Sequence, residues 1–399
     1  MSLFETDLSD PFLAKAVELR KRFDVDAVQR DRDGGAPVEQ IRLLKDAGIP
    51  SIQIPREYGG AGASWVTVFR IVRELAKVDG SLAHLYGYHH VALAGVYHYG
   101  SDSQKNDLLR RSARENWVWG NSGNVAAKSS FGRKDGDHWV LTGSRPFSSG
   151  SHIADYLSVA FESESGERMS ALIPTDREGL VIVGDWDGIG QRQTGSGTVR
   201  YDNLRLHESE LLGGAPKVGV PPAETPPFAT LTSQLAHGVL LNIFVGSAQG
   251  ALDAASDYTR TKTKPFAYSG VDRAIDDPWI KSEYGDLVIK TLAATELAER
   301  ASRSFERAWN EGFDLTIDGR GRNAVELAAA NVFAGDTALE VTSKIFELTG
   351  ARSATQKYGF DRFWRNVRTH TLHNPAEYKK RTVGTWYLTG EFPEYGPYR

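Results

Sequence analysis

Two histidines, His370 and His373, stand three residues apart in the run FDRFWRNVRTHTLHNPAEYK (360–379), just ahead of an Asn-Pro step. Imidazole donates and accepts hydrogen bonds near neutral pH, so such a pair suits a site that holds or moves a proton. The plainer alternative is that the pair caps a helix end before Asn374-Pro375. A second cluster, with His84, Tyr88, His89 and His90, lies in HLYGYHH (84–90) inside an otherwise apolar stretch. Neither set has a carboxylate at a usual metal-site spacing, so no metal is expected. There is no cysteine, which removes disulfides and thiol nucleophiles and fits a reducing compartment. The glycine-rich GIGQRQTGSG (188–197) superficially evokes a nucleotide loop, but it lacks the strand–GxGxxG–helix context.

These residues need elements to position them. Residues 11–115 read as helices: Phe12, Ala16 and Leu19 begin one apolar stripe, Ile41, Leu44 and Ala47 a second, and Val68, Ile71, Val72, Leu75 and Ala76 a third. The segment 79–100 reads as an apolar helix pair. From Trp117 the character changes to short β-rich runs at 138–143, 155–163, 169–175, 180–186 and 198–206, which predict a compact antiparallel β domain. The stretch 213–229, with five prolines, reads as a linker. Helical spacing then returns, in Ala294, Ala298, Ala301, Phe305 and Ala308, and in Val325, Ala328, Val332, Gly335, Leu339, Thr342 and Phe346. The expected domains are 1–116, helical; 117–224, β; and 225–399, a helical bundle. With 47 Lys and Arg against 51 Asp and Glu, the net charge is −4 and no nucleic-acid or membrane footprint is expected. The N-terminus lacks a signal-peptide core, and the default expectation is a cytoplasmic protein.

The order helices, β domain, helices resembles the acyl-CoA dehydrogenase fold, an α+β architecture whose C-terminal part is a four-helix bundle. IPREYGGAG (54–62), LTGSRPFSSGS (141–151) and FDRFWRNVRTHTLH (360–373) carry that likeness. HLYGYH (84–89), GDWDGIGQRQTGSG (184–197), GALDAASDYTRT (250–261) and FDRFWRNVRTHTLHNPAEYK (360–379) are similar to the flavin-dependent monooxygenases of this fold, in particular the dibenzothiophene monooxygenase group. The common dehydrogenases use a Glu in a Tyr-Glu-Gly-Thr segment as base; here Asn374 occupies that column and His373 the Tyr column, and an amide accepts no proton in this role.

The resemblance implies a two-component monooxygenase that takes reduced FMN, in preference to FAD, from a separate flavin reductase. It implies transfer of one oxygen of O2 to a small hydrophobic substrate, first an aromatic thioether such as dibenzothiophene, through a flavin hydroperoxide. An FAD-dependent acyl-CoA dehydrogenase and an N-hydroxylase of amines are the alternatives. His373 is expected over the flavin, with His370 orienting it or lining the pocket, and Tyr88 near flavin and substrate. Asn121 and Ser122 are expected at the ring's polar edge, and Arg145, Phe147, Ser148 and Ser149 in the flavin-contacting turn, Ser149 with a further catalytic role. Ala351 and Arg352, in LTGARSA (348–354), match a phosphate site supplied from a neighbouring subunit, which implies a homotetramer. Trp186 either closes the pocket or packs on its own domain. Two departures stand out. Ser282, beside Lys281, replaces an expected phosphate-binding arginine, and 122–138 is shorter and less polar than its counterpart.

Overall fold

The computed structural model describes residues 3–124, 127–213 and 225–396. Its N-terminal layer is α1 (Pro11–Asp24), α2 (Ala27–Asp33), α3 (Val38–Asp46), α4 (Trp65–Ala76), α5 (Gly80–Tyr99), α6 (Asp102–Gln104) and α7 (Arg110–Glu115), with a π-helical turn at Lys105–Leu109. The starts follow capping chemistry. Asp10 accepts from the N–H groups of Phe12 and Leu13, Ser64 from that of Thr67, and Asp79 from those of Ser81 and Leu82. The stripe on α4 faces the core as expected.

Where a helix pair is expected at 79–100, the structure has one helix of 20 residues. Gly87 and its neighbours do not break it. A Cβ at Gly87 would lie 2.3 Å from a Val239 methyl, so the glycine serves close packing against the next layer rather than a turn. A helix that is apolar all round belongs in the interior, and α5 is buried along most of its length.

Among the described residues the central sheet has seven strands: β1 (Trp119–Ser122), β2 (Ser130–Asp135), β3 (His138–Arg145), β4 (Tyr156–Ser163), β5 (Arg168–Pro174), β6 (Leu180–Ile182) and β7 (Val199–His207). Their order is β1-β4-β2-β3-β7-β6, with β5 on β4. The sheet is mixed where a wholly antiparallel one was expected: β4 runs parallel to both β1 and β2. The chain passes through the β2–β3 hairpin before it returns as β4, and that crossover allows parallel pairing. β1 and β2 escape sequence reading because one is short and carries Gly and Asn, and the other exposes polar residues.

The C-terminal layer comprises α8 (Leu231–Thr261), α9 (Pro278–Asn310), α10 (Ile317–Thr349), α11 (Asp361–Thr371) and α12 (Ala376–Thr389). Of the expected linker 213–229, residues 214–224 lie outside the described residues, as does the domain cut at 224. The stretch Pro227–Thr261 is long and apolar enough to cross a membrane, yet 83% of its most apolar window is buried within the fold, as in a core helix. Helices from both ends of the chain share one core, in which Trp65 and Phe69 of α4 meet Phe305 of α9 edge to face. Arg73 ties α4 to that layer through Asn242 and Glu299. The strands keep a core of their own around Leu141, Leu157, Phe161 and Leu204.

Candidate active site

One face of α5 organises the site. Ser81, His84, Leu85 and Tyr88 recur at helical spacing and point to the seam between the sheet and α11. From the sheet side, the Ser81 hydroxyl accepts from the Gln193 N–H, and the Gly150 turn packs on Leu85. From the bundle side, His370 stacks on His84 at 4.8 Å between centroids, and His84 stacks on Tyr88 at 4.0 Å. The Tyr88 hydroxyl lies 3.4 Å from His373 Nε2. Four rings thus form a column from α11 to the α11–α12 corner.

The corner follows from sequence. Pro375 disfavours helix at Asn374, so α11 ends and the chain turns. The His373 N–H closes the last turn on the His370 carbonyl at 3.0 Å. The pair therefore does mark a helix end, but the His370 ring goes inward and the His373 ring turns to Tyr88 rather than capping it. Burial pushes the His373 imidazole down to about 4, aided by the charge of Lys379. Burial likewise takes His84 to about 3 and His370 well below the usual range. At neutral pH His373 is an uncharged ring with one donor and one acceptor nitrogen. Asn374 donates from Nδ2 to His237 Nε2 at 2.5 Å, so the residue in the dehydrogenase-base column is itself engaged as a donor.

The turn after β3 faces the same seam. Phe147 has φ +56° and leaves its ring 61% exposed, edge to face with Trp186 at 6.2 Å. Such a φ on an aromatic residue is strained, and an exposed flat ring on a strained turn fits contact with a planar ligand. Beside it, the Asn121 N–H donates to the Ser149 carbonyl at 3.1 Å, while the Asn121 side-chain amide makes no hydrogen bond among the described residues. Ser149 Oγ begins a chain of hydroxyls through Ser196 and Thr194, each link 2.7 Å. The amide and the hydroxyl chain offer hydrogen bonds, and the exposed ring a flat face, to a planar ligand with a polar edge.

Three expected contacts are corrected. Arg145 is fully buried; its guanidinium bonds Ser130, the carbonyls of Ala160 and Asn124, and Glu162 at 2.6 Å. Ser148 Oγ donates to Ser122 Oγ and to the Arg145 carbonyl, and Ser122 Oγ meets the Tyr201 hydroxyl. These side chains are spent inside the β domain, where they hold the turn from behind. Removing one member of a buried ion pair leaves the other uncompensated, so Arg145→Ala is expected to lower unfolding stability by about 3–5 kcal/mol in chemical denaturation.

Ala351 and Arg352 lie in the exposed turn after α10, and no carboxylate pairs with Arg352 among the described residues. Lys281 and Ser282 are exposed in the first turn of α9. The glycine-rich segment 188–197 is a clasp. Gln191 N–H donates to Asn366 Oδ1 at 2.6 Å, and Arg365 donates to the Ile189 carbonyl at 2.8 Å. A Cβ at Gly190 would sit 2.1 Å from the Arg365 carbonyl oxygen, so only glycine lets α11 come this close. Sequence reasoning missed Lys379 and His237, which face this corner from α12 and α8; for His237 the available signal was a histidine within the apolar run LAHGVLL (235–241).

Comparison with known proteins places this geometry. Residues 17–116 match the acyl-CoA dehydrogenase N-terminal domain and residues 239–377 the acyl-CoA dehydrogenase C-terminal domain. A dibenzothiophene monooxygenase of Mycolicibacterium goodii is 38% identical over 401 residues, covering 95% of this chain and 94% of that one. A probable FMNH2-dependent monooxygenase, SfnC, of Pseudomonas putida is 36% identical, with 96% of both chains covered. The structure of methanesulfinate monooxygenase MsuC from Pseudomonas fluorescens superposes with a TM-score of 0.93 at 36% identity, over 97% of this chain and 99% of that one. The fold is that of the acyl-CoA dehydrogenases, carrying a neutral histidine and an amide where a carboxylate base would be needed. Within it, the chain belongs to the flavin-dependent monooxygenases, and it is an oxidoreductase.

Proposed function

We propose that this chain is the oxygenase of a two-component system, receiving reduced FMN from a separate flavin reductase and oxygenating a small sulfur compound. The observation that carries this reading is the neutral His373 ring, set against the Tyr88 hydroxyl with Asn374 beside it. Bound reduced flavin supplies two electrons and two protons, so that one oxygen atom of O2 enters the substrate and the other leaves as water. Asn121, Phe147 and Ser149 would hold the ring, and Arg352 of a neighbouring subunit its phosphate. Exposed Trp386, Tyr387 and Leu388 on α12 support assembly of several copies, for which a homotetramer is the proposed form. His373 would hold a proton at the reacting face, Tyr88 would fix the tilt of its ring, and the buried column would keep water out. The absence of cysteine supports a cytoplasmic setting.

The test is to incubate the protein with FMN, NADH, a flavin reductase and a panel of thioethers, sulfinates, phenols and amines under air. A product heavier by one oxygen atom, dependent on every component, is expected. Bleaching of bound oxidised flavin by an acyl-CoA thioester without O2 would instead make the protein a dehydrogenase.

A further inference from the structure

Beyond the column of rings, a cavity of about 250 Å³ opens between α8, α10 and α12. Gln234, His237, Asn374, Lys379 and Arg381 face it with Ala328, and among the described residues no carboxylate lines it. Lys379 is only 9% exposed, and its ammonium has neither an ion-pair nor a hydrogen-bond partner among the described residues. Every other charged group buried nearby is satisfied: Arg320 donates to the Thr230 hydroxyl and the Pro393 carbonyl. Taking an ammonium out of water without a partner is costly, and buried charges are retained where something completes them. The completing charge has to be negative, and among the described residues lining the cavity none supplies it.

We infer that this cavity is an anion-binding subsite in which Lys379 receives the oxyanionic end of a small substrate, a sulfinate, sulfonate or carboxylate group. This deepens the monooxygenase reading and rests on it for the identity of the ligand as substrate. It also departs from the expectation of a purely apolar aromatic thioether, because such a ring would leave the ammonium desolvated and unpaired. The hydrogen-bonded Asn374–His237 pair lines the cavity, and Asn374 follows His373 directly in the chain. Burial alone pushes the Lys379 ammonium down to about 8, so the subsite is charged at neutral pH and loses its charge in mild alkali. The titratable groups lining it besides Lys379 are His237 of α8 and Tyr378 and Arg381 of α12, with His373 at the corner, Arg320 of α10 and Tyr395 of the tail beyond α12 nearby. None of these carries negative charge in that range, because Tyr395 is itself pushed up by burial.

The experiment is calorimetric titration of the FMN-loaded protein with propane-1-sulfinate and with methyl propyl sulfone, a neutral molecule of similar size. The wild type is expected to bind the sulfinate and to bind the sulfone much more weakly, with sulfinate affinity falling as pH rises through 8. Lys379→Met, which keeps the bulk, is expected to weaken the sulfinate by about 10- to 100-fold and leave the sulfone unchanged. Equal wild-type affinity for both probes overturns the inference, and so does undiminished sulfinate binding in the variant. The wild-type comparison decides the matter even if the variant does not fold. A phosphate-bearing ligand shares this chemistry, so FMN and riboflavin are titrated in parallel into flavin-free protein. A loss confined to FMN in Lys379→Met would make the subsite a flavin-phosphate site and overturn its assignment to substrate. Binding is read without turnover, so failure of the monooxygenase reading, seen as no oxygenated product, stays separate from failure of the subsite.

Discussion

His373→Ala is expected to cut oxygenated product by about two orders of magnitude, while NADH consumption continues and its electrons appear as hydrogen peroxide. The argument is one of position and charge. The ring sits at the end of a stacked column and touches the Tyr88 hydroxyl. Its depressed pKa keeps it uncharged above about 4, so it offers a donor without adding positive charge to a low-dielectric seam. Alanine removes that donor and leaves a void that water can enter, and both changes favour loss of reduced oxygen as peroxide. Tyr88→Phe keeps the stack but drops the hydroxyl, and a smaller loss, about tenfold, is expected. The ratio of product to peroxide is the readout, since a general loss of folding would lower both together. Product per NADH that stays at the wild-type level in His373→Ala would remove this residue from the chemistry.

What could be read beforehand divides along physical lines. Elements with strong periodicity or capping were legible: α4 behind Ser64, the strands at β3, β4, β5 and β7, and the small-residue face of α9. The corner at His373 was legible because Pro375 fixes it and the surrounding motif is distinctive. The inward or outward sense of side chains at a turn was not. Ser122, Arg145 and Ser148 fall beside Asn121, Phe147 and Ser149 in the chain, yet the first three point into the β core and the others toward the seam. Residue type does not settle which way such neighbours face; the partners do, and Glu162 and Tyr201 lie well along the chain. Lys379 was invisible for a related reason. A lysine on an amphipathic helix reads as solvated, and only the packing of α8 and α10 against α12 shows that it is enclosed.

The same enclosed rings make the fold acid-sensitive. Burial holds His84 and His98 at about 3 and His89 and His373 at about 4, against about 6.5 in an unfolded chain. His90, His237 and His370 are also pushed well below their usual range by burial. A folded pKa below the unfolded one means that the unfolded chain binds more protons between the two values. Stability is therefore flat above about pH 6.5 and falls as pH drops below it, until the folded values are reached. At pH 5 each of the three buried histidines with a stated value, His84, His89 and His98, costs on the order of 2 kcal/mol, or about 6 kcal/mol together, within reach of a domain's whole stability. Cooperative unfolding centred near pH 5 is expected, with uptake of several protons, measured by circular dichroism and the pH slope of denaturation midpoints. His90 isolates the cause. Neither of its ring nitrogens has a hydrogen-bond partner, and its ring packs edge to face on Trp65 and Tyr86. His90→Phe keeps the packing and deletes the proton site, so it should stabilise the protein more at pH 5 than at pH 7.5. Equal stabilisation at both pH values would show that the buried imidazoles do not set the acid limit.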